Sequence, residues 1–347
     1  MDTMKIAVFD IGTNSIHMLV VEVRKDLSFE VLAHEKDTTR LGDGSFETRR
    51  LSREHVARAF GVIEKFARVA SKYRVRKMFG VATSAVRDAQ NGRQFTQGIR
   101  RRTGVRIRII SGEEEGRLIF LGATSGVTLG KRRALVIDIG GGSVELILGD
   151  QEGIFFNESF PLGVARLTDH FIHKDPPSKK EIKRLEKYIE KEIKPTVKKI
   201  RKIGFSEIVG TAGTMINLAS MVYEDKESRP FKLATFFKMS RKDLQKIHKK
   251  LLQRNLRQLL KMPGLDLKRS DIITAGSVLV NVLMKMLKKQ DVLVSNKGIR
   301  EGSILDFILR NEPSIVAAPA NVHVRWFGQK PFFQGHIRLR KGLDANF

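Results

Sequence analysis

The sequence predicts an α/β protein of two similar lobes with a ligand cleft between them. Three observations carry that expectation. An apolar run ending in aspartate leads into a glycine-hydroxyl turn at Ile6-Ala7-Val8-Phe9-Asp10-Ile11-Gly12-Thr13-Asn14-Ser15, and the pattern recurs at Leu135-Val136-Ile137-Asp138-Ile139-Gly140-Gly141-Gly142-Ser143-Val144-Glu145. Each turn is followed by another apolar run, 17–23 and 146–148, so strand, tight turn and strand are written twice. At 347 residues the chain is long enough for two cores.

The elements follow in order. After the first hairpin, residues 29–36 read as a third strand. Residues 51–72 carry Val56, Phe60, Ile63, Phe66 and Val69 at helical spacing, with Ser52 and His55 as a cap region. Residues 77–82 read as a buried strand, 89–103 as a helix and 105–110 as a strand ended by Ser111-Gly112. A helix from 113 to 124 starts with three acids in its first turn, where the helix dipole favours them. Lys131-Arg132-Arg133 reads as a hinge, and the hairpin pattern restarts at Ala134. A basic amphipathic helix is expected at 178–202, with Ile182, Leu185, Ile189 and Ile193 on one side. A strand at 208–211 enters a glycine-threonine turn and a helix to Tyr223. Further helices are expected at 240–261 and 270–288, then a strand at 292–294 and a last helix from 298 to 309. Residues 313–347 have no clear period and read as a basic, poorly ordered tail.

The chain carries 64 Lys and Arg against 38 Asp and Glu, a net charge of +26. Residues 1–124 hold 23 basic and 15 acidic side chains, whereas 226–269 hold 14 and 3, so the excess is concentrated in the second half. Such a field attracts polyanions. Aromatic residues, 7% of the chain, do not cluster in the basic stretches, which argues against a base-stacking platform and leaves nucleic acid as the alternative use of this surface. Zero cysteines exclude disulfides, thiolate metal sites and a cysteine nucleophile. No apolar run approaches a membrane span and no leader pattern precedes the first strand, so no membrane association and a cytoplasmic location are expected. A homodimer is a further expectation.

The turns suggest phosphate. Thr13, Asn14, Ser15 and Ser143 can donate to phosphate oxygens, and Gly12, Gly140, Gly141 and Gly142 let backbone amides approach closely. Asp10 and Asp138 end two buried-type strands, where a carboxylate is costly unless paired or bound to a cation. Mg²⁺ suits such hard oxygen ligands, and hydrogen bonds from the turn amides are the alternative. Glu115 starts a helix after a glycine break and could project into the cleft, although three consecutive glutamates leave Glu114 as its rival and helix capping as the simpler role. Arg87 could clamp a phosphate bidentately or form a surface ion pair. His17 reads as a packed residue of the returning strand, and the other histidines show no metal-ligand spacing.

The chain resembles the exopolyphosphatase and guanosine pentaphosphate phosphohydrolase family. The resemblance is carried by Phe9–Ser15, Thr83-Ser84-Ala85-Val86-Arg87, Ile110–Ile119, Val136–Glu145, Gly210-Thr211-Ala212-Gly213-Thr214 and Gly298-Ile299-Arg300-Glu301-Gly302. These motifs stand in family order over about residues 4–312, and the tail has no counterpart. The resemblance implies two ribonuclease-H-like, actin-like ATPase lobes, residues 1–124 with 299–312 and residues 125–298, the last helix returning to the first lobe. It implies Mg²⁺-dependent release of orthophosphate from polyphosphate or a nucleotide polyphosphate. Glu115 falls on the proposed catalytic base and Asp138 and Glu145 on metal or water-orienting positions; Asp10 is read as a further metal candidate, and Thr83, Ser84 and Arg87 as phosphate contacts. Thr211 and Gly213 fall where the superfamily often contacts a nucleoside. Longer members carry a further helical region with a histidine-aspartate site that this sequence lacks, which leaves the substrate open.

Overall fold

The computed structural model describes residues 4–24, 28–127, 129, 132–232, 236–311 and 324–325. The expected tail and part of the expected hinge, Lys131, lie outside the described residues. The first lobe runs β1 (Met4–Ile11), β2 (Ile16–Val23), β3 (Phe29–Asp37), α1 (Ser45–Thr48), α2 (Arg53–Lys72), β4 (Lys77–Ala82), α3 (Ser84–Asp88), α4 (Gly92–Thr103), β5 (Arg106–Ile109) and α5 (Gly112–Thr124). The second runs β6 (Ala134–Ile139), β7 (Val144–Asp150), β8 (Gly153–Phe160), α6 (Val164–Phe171), α7 (Lys179–Ile203), β9 (Glu207–Thr211), α8 (Ala212–Glu227), β10 (Phe236–Ser240), α9 (Arg241–Leu252), α10 (Leu256–Leu259), α11 (Ile273–Leu287) and β11 (Asp291–Ser295). Helix α12 (Ile299–Asn311) and the short strand β12 (Val324–Arg325) follow.

The duplication seen in the sequence is a duplication of topology. The sheets are ordered β12-β3-β2-β1-β4-β5 and β10-β11-β9-β6-β7-β8. In each, the first two strands form an antiparallel hairpin, and the first also pairs in parallel with the strand after the hairpin lobe's crossover. Strands β1 and β6 are therefore central, which explains their unbroken apolar runs: both faces are covered. Ala7, Phe9 and Ile11 point to a core with Ala59, Ile63 and Phe66 of α2 and Ile99 of α4. Ile6 and Val8 point to the other face, against Ile304, Leu305 and Ile308 of α12. In the second lobe Leu135, Ile137 and Ile139 join the large helical core, while Ala134 and Val136 meet Ile119, Phe120 and Ala123 of α5. Leu121 of the same α5 packs on the first sheet. Helices α5 and α12 thus form the layer between the two sheets.

Two glycines permit that layer. A Cβ on Gly122 would lie 1.9 Å from the Gly298 carbonyl, and one on Gly302 would lie 1.8 Å from the Leu118 carbonyl. The helices cross in backbone contact there. The expected cap forms, Ser52 accepting from the His55 amide, and two more appear: Ser111 accepts from the Glu114 amide, and Ser178 and Glu181 form a capping box.

Several elements differ from expectation. The helix expected over 240–261 is two helices, α9 and α10, because Asn255 and Gln258 build a new capping box in mid-segment. The helix expected from 89 begins at Gly92 and is preceded by the short α3. Strand β8, helix α6 and edge strand β10 were not expected. Among the described residues no helix is long and apolar enough to cross a membrane.

Candidate active site

The two turns meet at the carboxyl ends of β1 and β6. Each is closed by the same hydrogen bond, Gly12 N to Ser15 O at 3.0 Å and Gly140 N to Ser143 O at 3.1 Å. They also touch: a Cβ on Gly141 would lie 3.1 Å from Thr13 Cβ, and one on Gly142 would lie 2.6 Å from Thr13 Oγ1. Glycine is required because the first turn presses on the second. Helix α6 fixes the second turn from behind, with Val164 N donating to Gly140 O and Ala165 N to Gly141 O.

A cleft of about 740 Å³ opens between the lobes at this point. It brings together Asp10, Gly12, Thr13, Asn14, Ser15, Thr83, Glu115, Asp138, Gly140, Gly141, Gly142 and Ser143. Ser84 and Arg87 line a second cavity, of about 460 Å³, which shares Ser143 with the main cleft. Glu145 lines neither, being fully buried behind Ser143, where Ser159 Oγ donates to its Oε1 at 2.8 Å. Of the donors, Asn14 Nδ2 and Ser15 Oγ are buried without a hydrogen-bond partner, and so is Glu145 Oε2.

The glutamate register is decided by helix geometry. Glu114 turns to the flank of α5, where Arg117 holds it through Nε at 2.7 Å and Nη2 at 3.1 Å. Glu115, one residue on, is buried and faces the cleft. Arg87, read as a phosphate clamp or an ion-pair residue, pairs with Glu115: its Nη1 donates to Oε2 at 2.7 Å and to the Ile110 carbonyl at 3.2 Å. Thr83 also hydrogen-bonds the Glu115 carboxylate.

The acids crowd one another. Burial, and then the charges of Glu115 and Glu301, raise Asp10 to about 7 against the pull of Arg300. Burial, Glu115 and Asp10 raise Asp138 to about 8. Burial raises Glu145 well above the usual carboxylate range, with Glu115 and Asp138 adding to it. Burial also raises Glu115, with Arg87 opposing. Buried carboxylates without a cation between them are where a hard cation fits. Among the described residues no three acids or histidines converge as a ready cage. The carboxylate oxygens of Asp10 and Asp138 are donors of the hard kind that Mg²⁺ accepts alongside waters and a phosphate.

Other cleft residues escaped the sequence reading. Arg300, at the start of α12, reaches His17 and His34, whose rings stack at 5.7 Å, and all three line the cleft with Lys36 and Arg269. His17, expected to be packed, stacks on His34 and also lines the cleft. Periodicity gave no signal for this group, because its members stand on β2, β3 and α12 and meet only in the fold. Beyond Gly213 the cleft continues along Asn217, Ser220, Glu224, Phe231 and Leu265.

Comparison with known proteins gives the family and the fold. The family model described as the Ppx/GppA phosphatase family matches residues 19–311. The chain belongs to that family. It is a phosphoanhydride hydrolase with the actin-like two-lobed fold. It is 27% identical over 315 residues to Exopolyphosphatase 1 of Mycobacterium tuberculosis, covering 87% of this chain and 88% of that protein. A crystal structure of an exopolyphosphatase from Cytophaga hutchinsonii superimposes with a TM-score of 0.83 at 28% identity, covering 88% of this chain and 98% of the other. The Aquifex aeolicus member of the Ppx/GppA family gives 0.75 at 26% identity, covering 89% and 99%.

Proposed function

We propose that this protein releases terminal orthophosphate from linear inorganic polyphosphate, with Glu115 orienting the attacking water and Mg²⁺ as cofactor. The observation that carries the reading is the juxtaposition of unpartnered buried donors, Asn14 Nδ2 and Ser15 Oγ, with buried acids in one cleft. The names of the relatives point to the same substrate, and a net charge of +26 suits a long polyanion.

In this reading the terminal phosphate lies between the two turns, its oxygens taken by the Asn14 and Ser15 side chains, Thr13, Ser143 and the glycine amides. Arg87 and Thr83 fix the Glu115 carboxylate, which accepts a water proton in the cleft. Water oxygen bonds to phosphorus as the bridging P–O bond breaks, and the shortened chain departs with the electron pair. Asp10 and Asp138 would hold Mg²⁺ on the cleft side, with Glu145 buried behind Ser143. When bound, the ion supplies neutralising charge for the phosphoryl oxygens.

A second reading, a guanosine polyphosphate or nucleoside triphosphate substrate, is favoured by the limb beyond Gly213, where Asn217 Oδ1 is buried without a partner near Phe231. A phosphate-release panel with Mg²⁺, run on long-chain polyphosphate and on nucleotides, separates the two. The first reading expects long polyphosphate to give the higher kcat/KM; release from nucleotides alone contradicts it.

A further inference from the structure

We propose that Arg300 is a phosphate-binding arginine of this cleft and that His17 and His34 are positioning residues that hold it there. This rests on reading the cleft as a phosphoanhydride site, and it adds a substrate contact from α12.

Among the described residues the cations lining the cleft are Lys36, Arg269 and Arg300. Lys36 and Arg269 share one carboxylate, Asp266, at 3.4 and 3.7 Å. Arg300 is held differently. Its Nη1 donates to His34 Nε2 at 2.9 Å and lies 3.3 Å from His17 Nδ1, whereas its ion-pair distance to Glu301 is 3.9 Å, beyond hydrogen-bond length. A guanidinium carries donors only, so a ring nitrogen facing it must offer its lone pair. Both imidazoles are therefore neutral in this arrangement, in keeping with the downward push of burial and of Arg300 on both. Their planes lie within 14° of each other and form a wall from β2 and β3 against which the guanidinium is set.

The consequence is electrostatic. Neutral acceptors fix the orientation of Arg300, and its ion-pair carboxylate, Glu301, stands 3.9 Å away. Its side chain is largely buried, at 15% exposure, so water screens that charge weakly. Its charge draws down the pKa of both Asp10 and Asp138, which line the same cleft. A substrate carrying several negative charges meets Asp10, Glu115 and Asp138 in this cleft, and Arg87 gives its Nη1 to Glu115. Arg300 lines the cleft beside the two phosphate-type turns, and its fork geometry suits the non-bridging oxygens of a bound phosphate.

The test is calorimetric titration of the full chain with tripolyphosphate in the absence of metal, beside thermal unfolding of each variant. Loss of a hydrogen bond to a charged group predicts that Arg300→Ala weakens binding by about 10- to 100-fold, while Arg300→Lys retains part of the affinity. His34→Phe should weaken it less, and the double variant Arg300→Ala with His34→Phe should bind no worse than Arg300→Ala alone, because the histidine acts through the arginine. Unchanged affinity in Arg300→Ala overturns the contact. If that variant fails to fold, full affinity in Arg300→Gln overturns it equally. Additive losses in the double variant overturn the positioning role. A parent protein that binds tripolyphosphate but releases no phosphate when Mg²⁺ is added would sink the proposed activity while leaving this contact standing.

Discussion

Asp10 and Asp138 set the pH response expected of the metal-free protein. Their folded pKa values, about 7 and about 8, lie above the unfolded carboxylate range. Between those limits the folded chain holds protons that the unfolded chain has released, so stability falls as pH rises. Below the ordinary histidine range the trend is opposed, because buried His34 and His248 sit near 4 and bind fewer protons folded than unfolded. The clean window is therefore from about pH 6.5 to about pH 8, where a fully held proton contributes about 1.4 kcal/mol per pH unit. Thermal unfolding should show the midpoint falling across that window, Asp138→Asn flattening the slope, and Mg²⁺ raising the midpoint more at the upper end. A midpoint rising with pH, unaffected by Mg²⁺, would contradict the reading of these acids. Much of this site was legible as residue types at fixed spacing. Partners were not: nothing in the spacing of Thr83 and Arg87 says that the guanidinium turns to Glu115, 28 residues on. Nor does the sequence bring His17, His34 and Arg300 together.

At the level of elements, the α5–α12 crossing is the feature most exposed to test. The added methyl of Gly302→Ala would stand 1.8 Å from the Leu118 carbonyl, so the helices must separate. Overpacking of this kind costs about 1–3 kcal/mol, and a lower urea midpoint should report it. An unchanged midpoint would mean the layer yields freely. Ser178→Ala, by contrast, removes a helix cap far from the cleft residues and should cost about 1 kcal/mol while leaving phosphate release intact. The central strands and long helices were legible because β1 and β6 are covered on both faces and α7 keeps a strict apolar stripe. What escaped was short or local. Strand β8 mixes exposed Ile154 and Phe155 with polar residues, and α10 is a four-residue helix whose cap interrupts an otherwise continuous helical period.

At the scale of the molecule, the duplicated topology places two phosphate-type turns face to face, with α5 delivering Glu115 between them. The lobes are tied across the mouth of the cleft by Arg40, which reaches Asp271 at 2.5 and 3.0 Å, and by Lys36 with Asp266. The net charge of +26 surrounds this frame. Exposed charges act at long range only in low salt. Raising ionic strength should therefore raise KM for long-chain polyphosphate more than for tripolyphosphate, and equal shifts would remove the steering role of the basic surface. The central claim is that Glu115 activates water at this interlobe site. It is tested most directly by the rate of orthophosphate release from long-chain polyphosphate with Mg²⁺, measured for the parent and for Glu115→Gln with matched unfolding midpoints. The account predicts steady release by the parent and a loss of about 10²- to 10⁴-fold in kcat for the variant. Parent-like release by Glu115→Gln would contradict it.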